Sequence, residues 1–223
     1  MADAPILYDD RIKSHYTVWH DDPNLEALVL DLMGRLRPDR FVETGTHMAW
    51  TLMWMAERYP DLPIYSAEID RDYWRISLHN TARFQNVHLY RMDSPAFLRD
   101  IFPIMSRGLN LFWLDAHWWP MNSEKGMTPT PLRAECEIVE ELESYACLVD
   151  DFACRDPDFQ GDVFDGQENN LRYLSDIMGP SCWRPSYRSL PPYNKGYGLF
   201  LKGVDYVPPP TMREDSFLRG VET

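Results

Sequence analysis

Several things are scarce in this chain of 223 residues, and each shortage closes off a class of function. Basic residues are outnumbered, with 22 Lys and Arg against 35 Asp and Glu, for a formal charge of −13. Such an excess repels a phosphate backbone, so nucleic acid is not the expected partner. Long apolar runs are missing: no stretch nears the ~20 residues that span a bilayer, and the opening "MADAPILYDDRIK" is acidic. The expectation is a cytoplasmic protein with no membrane partner. The four cysteines, Cys136, Cys147, Cys154 and Cys182, show no C-x-x-C spacing, which argues for buried free thiols and against zinc or disulfides. G-x-G-x-x-G is absent too, so a pyrophosphate cradle of the nicotinamide type is poorly supported.

What is present is enough for a sizeable core: 44% of residues are hydrophobic and 13% aromatic. That size fits one domain, with residues 1–39 as a helical cover, 40–203 as the core and 204–223 as a tail. Asp22-Pro23 opens a helix carrying Leu25, Leu28, Leu32 and Leu36 at helical spacing, and Pro38 stops it. Five apolar runs follow, each succeeded by a helical pattern: "RFVETG", "PIYSAEID", "NVHLYRMD", "LNLFWLD" and "YACLVDD". A helix is expected over "QENNLRYLSDIM", then an antiparallel pair from "CWRPSYRSL" and "GYGLFLKG", then an extended arm. Strands alternating with helices predict an α/β fold: a doubly wound, mostly parallel, Rossmann-like sheet of about seven strands.

Ligands of such sheets bind beyond the carboxyl ends of the strands. All five ends are acidic: Glu43 with Gly45 and Thr46, Glu68 with Asp70, Asp93 with Ser94, Asp115 with His117, and the pair Asp150-Asp151. Any one acid could simply cap the next helix. Five of five argue for a shared cleft. An acid two residues before the glycine is awkward beside phosphate and suits a cationic ligand, such as the sulfonium and amino group of S-adenosylmethionine. Glu68 is placed for ribose hydroxyls, and Asp93 for an adenine amino group.

These residues carry a resemblance. From about Phe41 to Gly203, "FVETGTHMAWT", "IYSAEID", "HLYRMDS", "LFWLDAH", "CLVDDF" and "GYGLFLKG" together resemble the class I S-adenosylmethionine-dependent methyltransferases. In detail they resemble the metal-dependent O-methyltransferases of the catechol and macrolide-sugar type. The resemblance implies a donor site of Glu43, Gly45, Thr46, Glu68, Asp93 and Ser94, and a divalent ion held by Asp115, Asp150 and Asp151. Two positions depart from the pattern. Ala49 stands where a second glycine is common, and Trp118 stands where catechol O-methyltransferase has its lysine base.

The metal also has a chemical rationale, since three carboxylates suit Mg²⁺ or Mn²⁺, which would lower the pKa of an acceptor hydroxyl. The alternative is that Asp150 or Asp151 caps the following loop while Asp115 acts without metal. His117 has three readings: general base, metal-shell residue, or a locally bonded loop histidine. Lys125 is a weaker candidate base that reads better as a solvated surface lysine, Trp118 and Trp119 are either core or loop-anchoring residues or walls of an acceptor pocket, and Trp50, Trp54 and Trp74 read as packing residues. The expected activity is methyl transfer from S-adenosylmethionine to a hydroxyl of a small molecule, a sugar or phenol, with Asp115 and His117 catalytic and oligomerisation left open. Its rivals are a metal-dependent hydrolase or lyase and a non-catalytic donor-binding module.

Overall fold

The computed structural model describes residues 18–117, 130–154, 159, 161, 163–164, 167–188 and 195–216. Its first helix, α1 (Pro23–Leu36), starts where the sequence predicts: the Asp22 carboxylate accepts from the Asn24 and Leu25 amides at 2.9 and 3.4 Å. Proline in the first turn needs no hydrogen-bond partner there. Five strands then alternate with helices: β1 (Arg40–Thr44), α2 (Trp50–Arg58), β2 (Ile64–Ala67), α3 (Arg71–Thr81), β3 (Val87–Tyr90), α4 (Ser94–Met105), β4 (Asn110–Leu114), α5 (Leu132–Glu140) and β5 (Tyr145–Val149). A short hairpin, β6 (Val163–Phe164) and β7 (Gln167–Glu168), precedes α6 (Leu171–Leu174), and β8 (Ser181–Pro185), β9 (Gly198–Lys202) and β10 (Met212–Ser216) complete the described elements.

The main sheet has eight strands in the order β10-β8-β9-β5-β4-β1-β2-β3. The five strands from β5 to β3 are parallel, β9 runs antiparallel to β5, and β8 and β10 continue antiparallel. The expected fold is present with one strand more than about seven. The extra strand comes from the tail, expected as an extended arm, whose residues Met212–Ser216 pair with β8. The helix expected over 167–178 shrinks to Leu171–Leu174, because Asn170 caps it from inside that window and Gln167-Glu168 pair as a strand.

Side-chain alternation explains the double winding. Phe41, Leu111, Trp113, Ala146 and Leu148 pack on one face with Leu25, Leu28 and Leu32 of α1 and Leu52 and Met55 of α2. Val42, Phe112, Leu114, Cys147 and Val149 pack on the other face with Phe97, Leu98 and Ile101 of α4 and Cys136 and Val139 of α5. Strand residues point alternately to either side, so a continuous apolar run is the signature of a sheet buried on both faces. All four cysteines are buried and free, as their spacing predicts. Trp54 is buried and packs as expected, while Trp50 and Trp74 are half-buried. No helix among the described residues is long and apolar enough to cross a membrane.

The strand order reverses between β1 and β4, since β1 leads outward to β2 on one side and the chain returns to β4 on the other. Such a reversal opens a crevice at the carboxyl ends. Gly45 and Asp115 flank it.

Candidate functional site

On the β1–β2 side of the reversal, the site is built from backbone. Gly45 has φ of +82°, and a Cβ there would lie 2.3 Å from the Asp115 carbonyl oxygen. Glycine is therefore required for chain direction and for the approach of β4 alike. The Gly45 and Thr46 amides both donate to the Ala67 carbonyl at 3.1 Å, which ties the loop to the end of β2. Glu68, just beyond that end, accepts from the amides of His47 at 2.7 Å and Asp70 at 2.8 Å. Burial raises its pKa and those backbone bonds oppose the rise. Glu43 is 2% exposed and accepts from Ser66 Oγ at 3.0 Å. With its proton given to Glu43, Ser66 Oγ accepts from Thr46 Oγ1 at 2.6 Å. Burial pushes the Glu43 carboxyl well above its usual range, against the Ser66 hydrogen bond, with Asp115 adding to the rise. Neither Glu43 nor Glu68 forms an ion pair with a basic side chain among the described residues.

His47 and Ala49 follow in left-handed conformations, φ 48° and 64°. Ala49 caps α2 without a side-chain hydrogen bond, in a conformation that glycine would adopt without strain. The His47 ring lies 4.3 Å from the Tyr73 ring, and burial lowers its pKa to about 4, so it is neutral at physiological pH. Ser94 is buried in the first turn of α4. Asp93 precedes it as the N-cap without a side-chain capping bond, whereas Asp70 spends one carboxylate oxygen on the Asp72 and Tyr73 amides as an ordinary cap.

On the β4–β5 side the site is built from side chains. The Asp115 amide donates to the Thr44 carbonyl at 3.1 Å, and the Asp150 amide to the Leu114 carbonyl at 3.0 Å, so the ladder itself sets the two acids side by side. Burial raises the Asp115 carboxyl well above its usual range, and Asp150 and Asp151 add to the rise. Burial alone would raise Asp150 as well, but the His20 ring beside it outweighs burial and brings it below its usual value. His20 Nε2 lies 2.7 Å from Asp150 Oδ1. Burial works against charge on His20, yet Asp150, with Asp115 and Asp151 behind it, holds its pKa up to about 9. Lys195 Nζ lies 3.0 Å from Asp151 Oδ1. Its neighbour Gly196 explains the placement: the Phe152 amide donates to the Gly196 carbonyl at 2.8 Å, and a Cβ on Gly196 would meet the Phe152 carbonyl oxygen at 2.1 Å.

His117 turns inward. Only 8% of its side chain is exposed, and Asn169 Nδ2 donates to its Nε2 at 3.1 Å. That bond leaves the ring proton on Nδ1, which faces Asp115 Oδ1 at 3.4 Å and Asp151 Oδ2 at 4.0 Å. Beneath the cluster Glu135 of α5 is 1% exposed. Burial raises it to about 7, against the opposing influence of the nearby Ser94 hydroxyl, His117 and Thr44.

The expected residues thus gather at one edge: Glu43, Gly45, Thr46 and Glu68 on one side, Asp115, His117, Asp150 and Asp151 on the other. The expected metal centre at Asp115, Asp150 and Asp151 gains no support, since among the described residues no group of three or more His, Cys, Asp or Glu is arranged to hold an ion. The donor set as it stands fits one poorly, because Asp150 and Asp151 each already have their charge compensated by a basic side chain of the chain itself. Trp118, Trp119 and Lys125 lie outside the described residues. Sequence reading missed His20, Lys195, Asn169 and Glu135. Their only advance signals are weak: His20 stands two residues before a helix cap, and Glu135 is an acid on the apolar face of a helix.

No protein-family model matches the chain, and no curated protein matches it in sequence. Solved structures do match its shape. The O-methyltransferase TomG of Streptomyces achromogenes, involved in tomaymycin synthesis and solved in complex with S-adenosylmethionine, is 18% identical with a TM-score of 0.53, the match covering 80% of each chain. A candidate O-methyltransferase from Klebsiella pneumoniae is likewise 18% identical with a TM-score of 0.53, over 82% of each chain. The precorrin-6y C5,15-methyltransferase of Geobacter metallireducens is 14% identical with a TM-score of 0.50, over 81% of this chain and 87% of that one. The chain has the class I methyltransferase fold.

Proposed function

We propose that this protein transfers the methyl group of S-adenosylmethionine to an oxygen of a small molecule. The observation that carries the reading is the unpaired acidity of the donor side: Glu43 and Glu68, both buried, flank the glycine turn at the strand reversal without a basic partner among the described residues. A ligand with an amino group, a sulfonium and two ribose hydroxyls complements that arrangement. Glu68 would accept from the ribose, Glu43 would compensate the donor's positive end, and Asp93 with Ser94 would lie toward the adenine. TomG, similar in fold, holds S-adenosylmethionine.

On the acceptor side Asp115 is the group suited to take the proton. A carboxyl raised by burial and by two neighbouring acids is a stronger base than an ordinary aspartate, and 36% of its side chain remains exposed. The acceptor O–H would donate to Asp115, and its oxygen would then attack the donor methyl in line. His117, engaged at both ring nitrogens, holds Asp115 in place and does not itself reach the acceptor. Of the three readings open for His117, the bonds to Asp115 and Asn169 favour the locally bonded one. No step is assigned to a metal ion.

The test is methyl transfer from labelled S-adenosylmethionine to a panel of hydroxylated sugars and phenols. Asp115→Asn should lower turnover by about 100-fold or more, while affinity for S-adenosylhomocysteine stays within about twofold, since no donor contact is removed. Undiminished turnover in that variant would refute the assigned base. A hydrolase or lyase using the same aspartates would show no dependence on the donor.

A further inference from the structure

We propose that the carboxylate cluster at the ends of β4 and β5 is held together by basic side chains of this chain in place of a divalent ion, with His20 as the principal partner, so that the site works without metal. Each acid has a basic side chain beside it: Asp150 has His20 at 2.7 Å, Asp151 has Lys195 at 3.0 Å, and His117 lies 3.4 Å from Asp115 and 4.0 Å from Asp151. A magnesium ion needs a near-ideal octahedron of oxygens at about 2.1 Å. Here Asp150, with its side chain 3% exposed, gives Oδ1 to the His20 ring, and Asp151, 14% exposed, gives Oδ1 to the Lys195 ammonium. Those oxygens face protein donors that already compensate the charge of both acids, so a cation would compete with His20 and Lys195 for the same negative charge.

A second, independent observation concerns how His20 arrives there. Trp19, His20 and Asp21 are three consecutive non-glycine residues with φ of 52°, 55° and 54°. The left-handed region is unfavourable for any residue with a Cβ, and strain of this kind persists only where the surroundings over-determine it. Trp19 supplies the anchor. It is 2% exposed and meets the rings of Phe41, Trp54 and Trp113 edge-on, with centroids 6.3, 5.6 and 5.2 Å away. The strained turn carries His20 over the carboxyl edge to a partner 130 residues distant. The N-terminal turn is therefore a component of the site, and His20 is a positioning residue acting through Asp150. Its catalytic meaning rests on the methyl-transfer reading, whereas the pairing itself does not.

The experiment measures metal binding to the full chain with no donor or acceptor present, so a failure of the methyl-transfer reading leaves its outcome untouched. EDTA-treated protein is titrated calorimetrically with MgCl₂ and, separately, MnCl₂, and its melting temperature is followed in parallel. The wild type should give no saturable isotherm and no shift. The double variant His20→Gln, Lys195→Gln leaves the acids uncompensated and should gain a Mg²⁺-dependent rise of about 3 °C or more at tenfold excess over its Kd. A saturable isotherm in the wild type overturns the proposal, and that arm requires no variant to fold. A folded double variant that remains blind to both ions overturns the assignment to His20 and Lys195.

Discussion

The two halves of this sheet edge carry similar acids and satisfy them by opposite means. On the β1–β2 side Glu68 is bonded to backbone amides 2 and 21 residues away and Glu43 to a serine 23 residues away, with no counter-cation among the described residues. On the β4–β5 side the partners are basic side chains, His20 from 130 residues before Asp150 and Lys195 from beyond the next segment. Backbone bonds orient a buried carboxylate without neutralising it, so the first half stays open to a cationic ligand. Ion pairs compensate charge, so the second half is pre-assembled around its own charges, and in the proposed function Asp115 is the acid that would meet an incoming hydroxyl.

Substitutions can break the comparison half by half. The largest stability effect is expected from Gly45→Ala, which would place a Cβ 2.3 Å from the Asp115 carbonyl oxygen at a φ of +82°; chemical denaturation should show a loss of about 4 kcal/mol or more. On the paired side, His20→Gln should remove about 3 kcal/mol near neutral pH. The pH dependence has a definite sign. With its pKa raised from 6.5 to about 9, His20 contributes stability that is complete below pH 6.5 and is lost as pH rises through 9. The gap between wild type and variant in urea melts should therefore be widest below pH 6.5 and close above pH 9. On the open side, Glu68→Ala should weaken S-adenosylhomocysteine binding by about 10- to 100-fold, the value of a charged hydrogen bond. The smallest effect is expected from Ala49→Gly, where relief of a left-handed alanine at φ 64° is offset by the greater freedom of unfolded glycine. The melting temperature should rise by no more than the equivalent of about 1 kcal/mol.

The same contrast explains how far the sequence could be read. The layout of the β1–β2 side was legible because its signals are local: an apolar strand, an acid, a glycine and a helix within a dozen residues, with Glu68 following the next strand by the same rule. The parallel order was legible because continuous apolar runs such as Leu111–Leu114 declare burial on both faces. The acceptor side was legible only in its acids. Nothing near His20 or Lys195 in the chain marks them as partners, since their roles arise from a strained turn anchored by Trp19 and from a glycine packed against Phe152. The metal expectation rested on the acids alone, and the proposed metal-free site rests on the acids together with those partners. The tail strand escaped for a related reason: "MREDS" is too polar to read as a strand, and it forms one at the sheet margin, where β8 is its one ladder partner.

The most direct test of the account is calorimetric titration of the wild-type chain with S-adenosylhomocysteine in the presence of EDTA. It should bind one equivalent, and the Glu68→Ala variant should bind it about tenfold or more weakly. Absence of any binding by the folded wild type would contradict the central claim that the open acids of β1 and β2 form a methyl-donor site.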